Sequence, residues 1–260
     1  MQLGSMTNNM RDPYFIKPGY RCNPLINTTV EQEPKDYWDA GRVAISATYQ
    51  YHAYKIVQTA LQSMSSPSVV DVGCGPGIKL AEMLLPFAKR TVGIDQVTVV
   101  PANQRRYPAV EFYPDNFDAP TLDLAKHNLA NAFDIVISAD VVEHLPDPDC
   151  LLNYMRKFGH AETLYVISTP ERDRIRGKRC MYSPNPQHIR EWNAREFRQY
   201  LEDREFEIED QVMVPEQKLA LDPKHPLRTL LSVVRRVQGP SCQVAICKSR
   251  MRTAGTAQLE

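Results

Sequence analysis

The chain carries no charge of one dominant sign: 31 Lys and Arg offset 31 Asp and Glu. With no basic excess there is no broad field to gather phosphate polymers or anionic membranes, which disfavours nucleic acid as a partner. No apolar run approaches the roughly 20 residues a membrane-spanning helix needs, and the polar start Met1–Arg11 lacks the apolar segment of a secretory signal. The six cysteines (Cys22, Cys74, Cys150, Cys180, Cys242, Cys247) form no C-x-x-C pair and no zinc-knuckle or disulfide spacing. A reducing, cytoplasmic setting is therefore expected. Internal repeats and low-complexity tracts are also missing, which excludes solenoids and arrays.

What remains is a 260-residue chain long enough to bury a full core. Its texture predicts one α/β domain over 37–250, an irregular arm over 1–36 and a flexible tail over 251–260. Residues 12–36 mix Pro, Gly, Asn and aromatics without a steady period and read as an arm lying on the body. Tyr37–Ser63 places Val43, Ile45, Tyr51, Tyr54, Ile56, Val57, Ala60 and Leu61 at spacings that suit helix, so one or two helices are expected there.

From Ser68 onward, short β-branched runs alternate with amphipathic stretches, the pattern of a parallel sheet with helical crossovers. Strands are predicted at Ser68–Val72, Arg90–Ile94, Val110–Tyr113, Asp134–Ser138 and Thr163–Ser168. Helices are predicted at Ile78–Phe87, Thr98–Tyr107, Asp149–Phe158 and Ala194–Asp203. Two late strand-like runs, Glu205–Met213 and Cys242–Lys248, flank a helix candidate at Leu227–Val237 and suggest an antiparallel edge.

The first chemical signal is Ser68-Val69-Val70-Asp71-Val72-Gly73-Cys74-Gly75-Pro76-Gly77, a buried strand entering a turn with glycine at alternate positions. Glycine lets a backbone approach a ligand closely and take positive φ. Dinucleotide sites use G-x-G-x-x-G, with a pyrophosphate on the following helix. Here the spacing is G-x-G-x-G, and Asp71 sits where a diphosphate would be poorly served. S-adenosylmethionine (SAM) has no phosphate, so the turn favours SAM over a nicotinamide dinucleotide.

A second strand, Thr91-Val92-Gly93-Ile94-Asp95, ends in a carboxylate suited to ribose hydroxyls, with Gln96 beside it. A third leads to Asp115-Asn116-Phe117, where a polar side chain and a backbone N–H suit an adenine edge.

Together VVDVGCGPG, VGID and FDIVISADVVEHLPDP resemble the class I SAM-dependent methyltransferases over about residues 40–250. The resemblance implies a Rossmann-like, seven-stranded sheet of order 3-2-1-4-5-7-6 with strand 7 antiparallel, helices on both faces and an N-terminal helical cover. It implies cofactor contacts at Asp71, Gly73, Cys74, Gly75, Gly77, Asp95, Gln96, Asp115, Asn116, Phe117 and Ala139. The family's Gly-Asp pair stands here as Asp115-Asn116.

For the acceptor end, Asp140, Glu143 and His144 share one face if the chain is helical there. His188 follows on a later loop, in Asn185-Pro186-Gln187-His188-Ile189-Arg190-Glu191-Trp192. The combination resembles the O-methyltransferases of ubiquinone biosynthesis and those acting on the 3′-terminal ribose of small RNAs. In those enzymes an E-x-x-E-H cluster and a later His hold a divalent cation over two neighbouring hydroxyls. Carried over, the ligands are Asp140, Glu143, His144 and His188, with Asp140 in place of the first Glu, and Mg²⁺ or Mn²⁺ suits the mixed donors. Glu143, His144 and His188 are equally the candidates for metal-free catalysis by a histidine base, or hydrogen-bonded pins of their own loops.

The segments STPERDRIRG and NPQHIREW further resemble methyltransferases encoded beside glycosyltransferases of surface polysaccharides, which implies a sugar hydroxyl acceptor. Arg172, Arg174, Arg176, Lys178 and Arg179 read chiefly as solvated surface, with an acceptor phosphate as the alternative. His52 is a candidate lining residue of the cofactor pocket, beneath a cover of aromatics that includes Tyr37, Trp38, Tyr49, Tyr51 and Tyr54. The leading expectation is SAM-dependent O-methylation of a small-molecule or glycan acceptor. The rivals are an RNA 2′-O-methyltransferase, a non-catalytic SAM-binding partner subunit and a nicotinamide dehydrogenase.

Overall fold

A computed structural model of the chain describes residues 12–24, 38, 40–218 and 240–250. The helix expected at Leu227–Val237, Tyr37, and much of the arm and the tail lie outside the described residues.

Seven strands form one sheet of order β3-β2-β1-β4-β5-β7-β6. The strands are β1 (Ser68–Val72), β2 (Arg90–Asp95), β3 (Glu111–Pro114), β4 (Phe133–Ala139), β5 (Gly159–Pro170), β6 (Phe206–Val214) and β7 (Cys242–Ser249). All neighbours from β3 through β5 run parallel, while β7 lies antiparallel to both β5 and β6. The expected order and hand of the last strand are thus realised.

The central strands are apolar on both faces because both faces are covered. Val70 and Val72 point into one cluster with Leu151, Leu152, Met155, Phe197 and Tyr200, whereas Val69 points into the other with Tyr54, Val57, Leu61, Leu80 and Leu84. The helices are α1 (Ala40–Ser46), α2 (Tyr51–Gln62), α3 (Val100–Arg106), α4 (Pro148–Phe158), α5 (Arg172–Ile175) and α6 (Ala194–Asp203); of these α2, α4 and α6, with the turn Leu80–Leu84, supply the residues just named. Two helices therefore occupy 37–63, as α1 and α2.

Local chemistry sets the helix ends. The Asp147 carboxylate accepts from the Asp149 N–H (3.0 Å) with Pro148 at the first helical position of α4. Asn193 and Glu196 form a reciprocal capping box that starts α6. The expected helix at Ile78–Phe87 departs from plain α geometry: Leu80–Leu84 is a π turn and Leu85–Phe87 a 3₁₀ turn around Pro86. Proline has no N–H to continue an α ladder.

The described part of the arm does lie on the body. The Trp192 indole N–H donates to the Tyr14 carbonyl (2.8 Å), and the Arg190 guanidinium sits 4.4 Å from the Tyr14 ring centre.

One residue of the basic run differs from expectation. Arg172 is wholly buried rather than solvated, bonded to both Glu196 oxygens (2.6 and 3.0 Å) and to the Glu191 carbonyl (3.1 Å). It clamps the segment after β5 to the start of α6. Arg172→Met is expected to strand Glu196 and cost roughly 3–5 kcal/mol. Urea unfolding should show that loss, and Arg172→Met with Glu196→Leu should recover part of it.

Candidate functional site

The site begins where β1 ends. Parallel pairing of Val72 with Ile94 brings the turn after β1 beside the end of β2. Gly73 and Cys74 donate their N–H groups to the Ile94 carbonyl (2.8 and 3.2 Å), and the Gly75 N–H donates to Asp95 Oδ2 (2.7 Å). Gly73 has φ of 95°, and a Cβ there would run into Val141 Cγ2. Gly75 has φ of 53°, with the Trp38 ring 3.1 Å from where its Cβ would stand. Backbone conformation and space both demand glycine at these positions.

Asp95 is nearly buried, and its other oxygen accepts the Gln96 N–H (2.7 Å). The carboxylate thus locks the turn while standing at the end of β2. Asn103 supports the turn from α3, donating Nδ2 to the Gly75 carbonyl (2.7 Å). Cys74 is buried, and burial pushes its thiol well up, which leaves it inert.

Asp71 lies one layer below. It is completely buried and accepts from Tyr54 Oη at 2.6 Å, while its Oδ1 has no partner. Lys79 is its buried counter-charge and also donates to the Ser46 carbonyl at the end of α1 (2.7 Å). Burial raises the Asp71 carboxyl and lowers the Lys79 ammonium. Through Tyr54 and Lys79 both cover helices are fastened to the strand that enters the glycine turn. Lys79 and Asn103 went unassigned in the sequence, and Tyr54 was read only as part of the aromatic cover, because their partners lie on other elements.

At the end of β3, the Asp115 oxygens accept from the Asn116, Thr121 and Leu122 N–H groups (2.9, 2.8 and 3.2 Å) and from Tyr154 Oη (2.5 Å). Asp115 shapes the loop over which Asn116 is half-exposed. Phe117 packs toward Tyr154, ring centres 6.2 Å apart. Ala139 closes β4 and is nearly buried. His52, on α2, has its ring against Tyr51 (5.4 Å), and burial lowers its pKa.

After β4 the chain does not form the α-turn that would align Asp140, Glu143 and His144. Asp140 takes a left-handed φ of 55° and Val142–His144 is a 3₁₀ turn. Asp140 Oδ1 accepts from Ser168 Oγ (2.7 Å), and Asp140 is not among the three donors that converge, although its charge still acts on Glu143.

Glu143, His144 and His188 do converge, with one donor atom from each within 4.8 Å of the others. Glu143 is completely buried; Thr169 Oγ1 donates to its Oε2 (3.0 Å), and Oε1 has no partner. Burial, with Asp140 adding to it, raises the Glu143 carboxyl well above the usual range.

His144 Nδ1 lies 2.9 Å from the Gln187 carbonyl, which only accepts, so Nδ1 carries the proton and Nε2 is a lone pair. Burial, with His188 next, lowers its pKa to about 3 and keeps the ring neutral. His188 Nδ1 likewise faces Glu191 Oε1 at 2.7 Å, and the two imidazoles meet edge-on, 4.8 Å between centres.

Glu191 is buried, which alone would raise its carboxyl, but bonds from His188, Arg176 and Ser183 outweigh burial and hold it low. Carboxylate and carbonyl partners on Nδ1, with His144 Nε2 lying 4.0 Å from Glu143 Oε1, are the outer-layer pattern that makes histidines metal ligands. The orphaned Glu143 oxygen completes a mixed carboxylate and imidazole donor set that fits a divalent cation. Glu191 carried no assigned role in the sequence, although its three-residue spacing from His188 was visible there.

A glycine turn after β1, a carboxylate ending β2 and one antiparallel strand inserted beside β5 define a class I, Rossmann-like nucleoside-cofactor fold. The family model described as a methyltransferase domain matches residues 46–211. The chain belongs to this family, the class I SAM-dependent methyltransferases.

A Mycolicibacterium smegmatis protein named an S-adenosylmethionine-dependent methyltransferase is 30% identical over 171 residues, covering 62% of this chain and 61% of that protein. A Haemophilus ducreyi ubiquinone biosynthesis O-methyltransferase is 25% identical over 123 residues, covering 46% and 52%. The chain thus spans only about half to three fifths of the length of these two relatives.

Among solved structures, the methyltransferase of a Haloferax volcanii complex with the Trm112 methyltransferase activator superposes with a TM-score of 0.63 at 15% identity. The match covers 84% of this chain and 96% of that one. The N-methyltransferase NodS of Bradyrhizobium japonicum, solved with S-adenosylhomocysteine, gives 0.54 at 15% identity over 87% and 100%. These likenesses carry the fold. Among the described residues no helix is long and apolar enough to cross a membrane.

Proposed function

We propose that the protein is a SAM-dependent methyltransferase that methylates a hydroxyl oxygen of a small polyhydroxylated acceptor, a sugar or glycan foremost, with a divalent cation, Mg²⁺ or Mn²⁺, held by Glu143, His144 and His188. When bound, SAM supplies a methyl group made electrophilic by its sulfonium, and the cation lowers the pKa of an acceptor hydroxyl. The chain's own part is to hold and orient. The glycine turn leaves bare backbone for the nucleoside, and Asp95 presents carboxylate oxygens at the end of β2 for its ribose. Glu191 and the Gln187 carbonyl hold the two imidazoles by Nδ1, which leaves His144 Nε2 beside Glu143 Oε1 (4.0 Å).

The observation that carries this reading is the buried Glu143 Oε1 without a hydrogen-bond partner, grouped within 4.8 Å with donor atoms of two histidines whose Nδ1 atoms are held by the Gln187 carbonyl and Glu191. A buried carboxylate oxygen left unpaired is costly, and a cation would repay it. The partial relation to a protein named an O-methyltransferase supports oxygen as the acceptor atom.

The test is SAM turnover over methyl glycosides, catechol, nucleosides and RNA ends, each with EDTA and with Mn²⁺ restored. Metal-dependent methyl ethers are expected, together with Mn²⁺ binding read by electron paramagnetic resonance. Turnover indifferent to EDTA would instead make His144 Nε2 the base, and transfer to nitrogen alone would end the hydroxyl reading.

A further inference from the structure

The loop that carries His188 leans on a distant segment. Residues 181–190 form neither helix nor strand, and Pro184 and Pro186 remove two backbone donors from the run. Carbonyls in such a run need donors from elsewhere. The N-terminal arm supplies them. The Asn23 side-chain nitrogen donates to the carbonyls of Ser183, Asn185 and His188 (2.9, 3.0 and 2.9 Å). Three acceptors around one atom identify it as Nδ2, because the amide oxygen has nothing to donate to them.

The backbone of the arm continues the contact. The Asn23 N–H donates to the Ile189 carbonyl (2.9 Å), and the Ile189 N–H donates to the Glu143 carbonyl (2.9 Å), so arm, loop and the turn after β4 are laced together through Ile189. Tyr20 Oη accepts the Glu191 N–H (3.2 Å), and the Arg21 N–H donates to the Met181 carbonyl (2.8 Å). Both imidazoles depend on this loop. Ser183 Oγ donates to Glu191 Oε1 (2.7 Å), the oxygen that faces His188 Nδ1 (2.7 Å), while the Gln187 carbonyl holds His144 Nδ1 (2.9 Å). Three carbonyl dipoles gathered on one amide repel one another once that donor is gone. Their separation would turn His188 and the Gln187 carbonyl with them.

We propose that Asn23 is a positioning residue of the candidate site. It fixes the loop 183–191 so that both imidazoles keep the proton on Nδ1 and offer Nε2 as a lone pair, to a cation or to an acceptor proton. The assignment rests on the reading of His144 and His188 given above. It makes the arm a working part of the site, acting through the loop backbone.

The experiment compares wild type with Asn23→Asp, Asn23→Ala and Asn23→Gln in the full chain. Asn23→Asp has nearly the same shape and no donor, and should Asn23→Asp not fold, Asn23→Ala carries the same test. Nitrogen-15 NMR of labelled histidine at fixed pH reads the tautomer of each ring, with the two signals assigned through His144→Gln and His188→Gln. Wild type is expected to show Nδ1–H on both rings, and Asn23→Asp and Asn23→Ala a mixture of tautomers. Mn²⁺ affinity by electron paramagnetic resonance should fall about 10–100-fold, the usual cost of losing an outer-layer partner of a ligand. Asn23→Gln, which keeps the amide, should recover part of both. S-adenosylhomocysteine affinity by calorimetry should stay within twofold, because Ile94 and Asp95 hold the glycine turn separately.

If Asn23→Asp and Asn23→Ala keep single Nδ1–H tautomers and wild-type Mn²⁺ affinity, even with a lower melting temperature, Asn23 is structural only and the assignment falls. A parallel loss of S-adenosylhomocysteine affinity would mark general loosening and overturns it too. If wild type binds no Mn²⁺ while the variants still mix tautomers and slow an EDTA-insensitive turnover tenfold, the cation reading falls and the positioning role stands. A wild type without fixed Nδ1–H tautomers overturns both.

Discussion

Gly73→Ala is expected to weaken S-adenosylhomocysteine binding at least 100-fold while the chain still folds. Two effects combine. The φ of 95° carries a Cβ penalty of about 1–2 kcal/mol in the left-handed region. The new methyl would also overlap Val141 Cγ2 and force either that side chain or the turn to move. The turn is what positions the Gly75 N–H on Asp95, so its displacement also moves the carboxylate proposed to take the ribose. Adding Val141→Ala clears the overlap and leaves the φ strain, so the double variant should recover part of the affinity. Calorimetric titration with S-adenosylhomocysteine, beside thermal melting, reads both. Binding of Gly73→Ala within threefold of wild type would remove the turn from the cofactor site.

Glu143→Gln should move activity and stability in opposite directions. The buried Oε1 has no partner and burial opposes the carboxylate charge, so a neutral amide of the same shape relieves a desolvation cost. A gain of about 1 kcal/mol is expected, worth roughly 2–4 °C in melting temperature for a domain of this size. Methyl transfer and Mn²⁺ binding should both fall, transfer by about 10³-fold, on the order of 4 kcal/mol of lost transition-state stabilisation. A group placed for stability shows the reverse sign in the melt. Loss of stability with normal transfer would make Glu143 a structural pin of the loop after β4.

The elements with a clear local pattern were legible in the sequence almost to the residue. Ser68–Val72 reads as a strand because its apolar residues have no polar face to spare, and Ala194–Asp203 because Asn193 and Glu196 announce its start. The order of the strands followed from resemblance to a known family rather than from any local signal.

What escaped was set by contacts between distant segments. Asp140, Glu143 and His144 suit one helical face only if the turn is α, and the left-handed Asp140, bonded to Ser168 on β5, prevents that. Glu191 owes its position to bonds from Arg176 and Ser183 as well as from His188, and only the His188 spacing shows in the sequence. Arg172 sits in a run of five cations yet is the one buried, because Glu196 of α6 lies where it can reach both guanidinium nitrogens.

The place of β7 has a consequence for how the molecule is made. In the sheet β6 borders only β7, and β7 lies between it and β5, so the eight residues from Cys242 are a keystone laid last. As the ribosome releases the chain, the strands up to β5 can assemble while β6 waits unjoined and one margin of β5 lies bare. Premature stop codons or proteolytic nicks ahead of residue 242 would leave that margin open to strand exchange with other nascent copies, and inclusion bodies are the outcome to look for in such truncations.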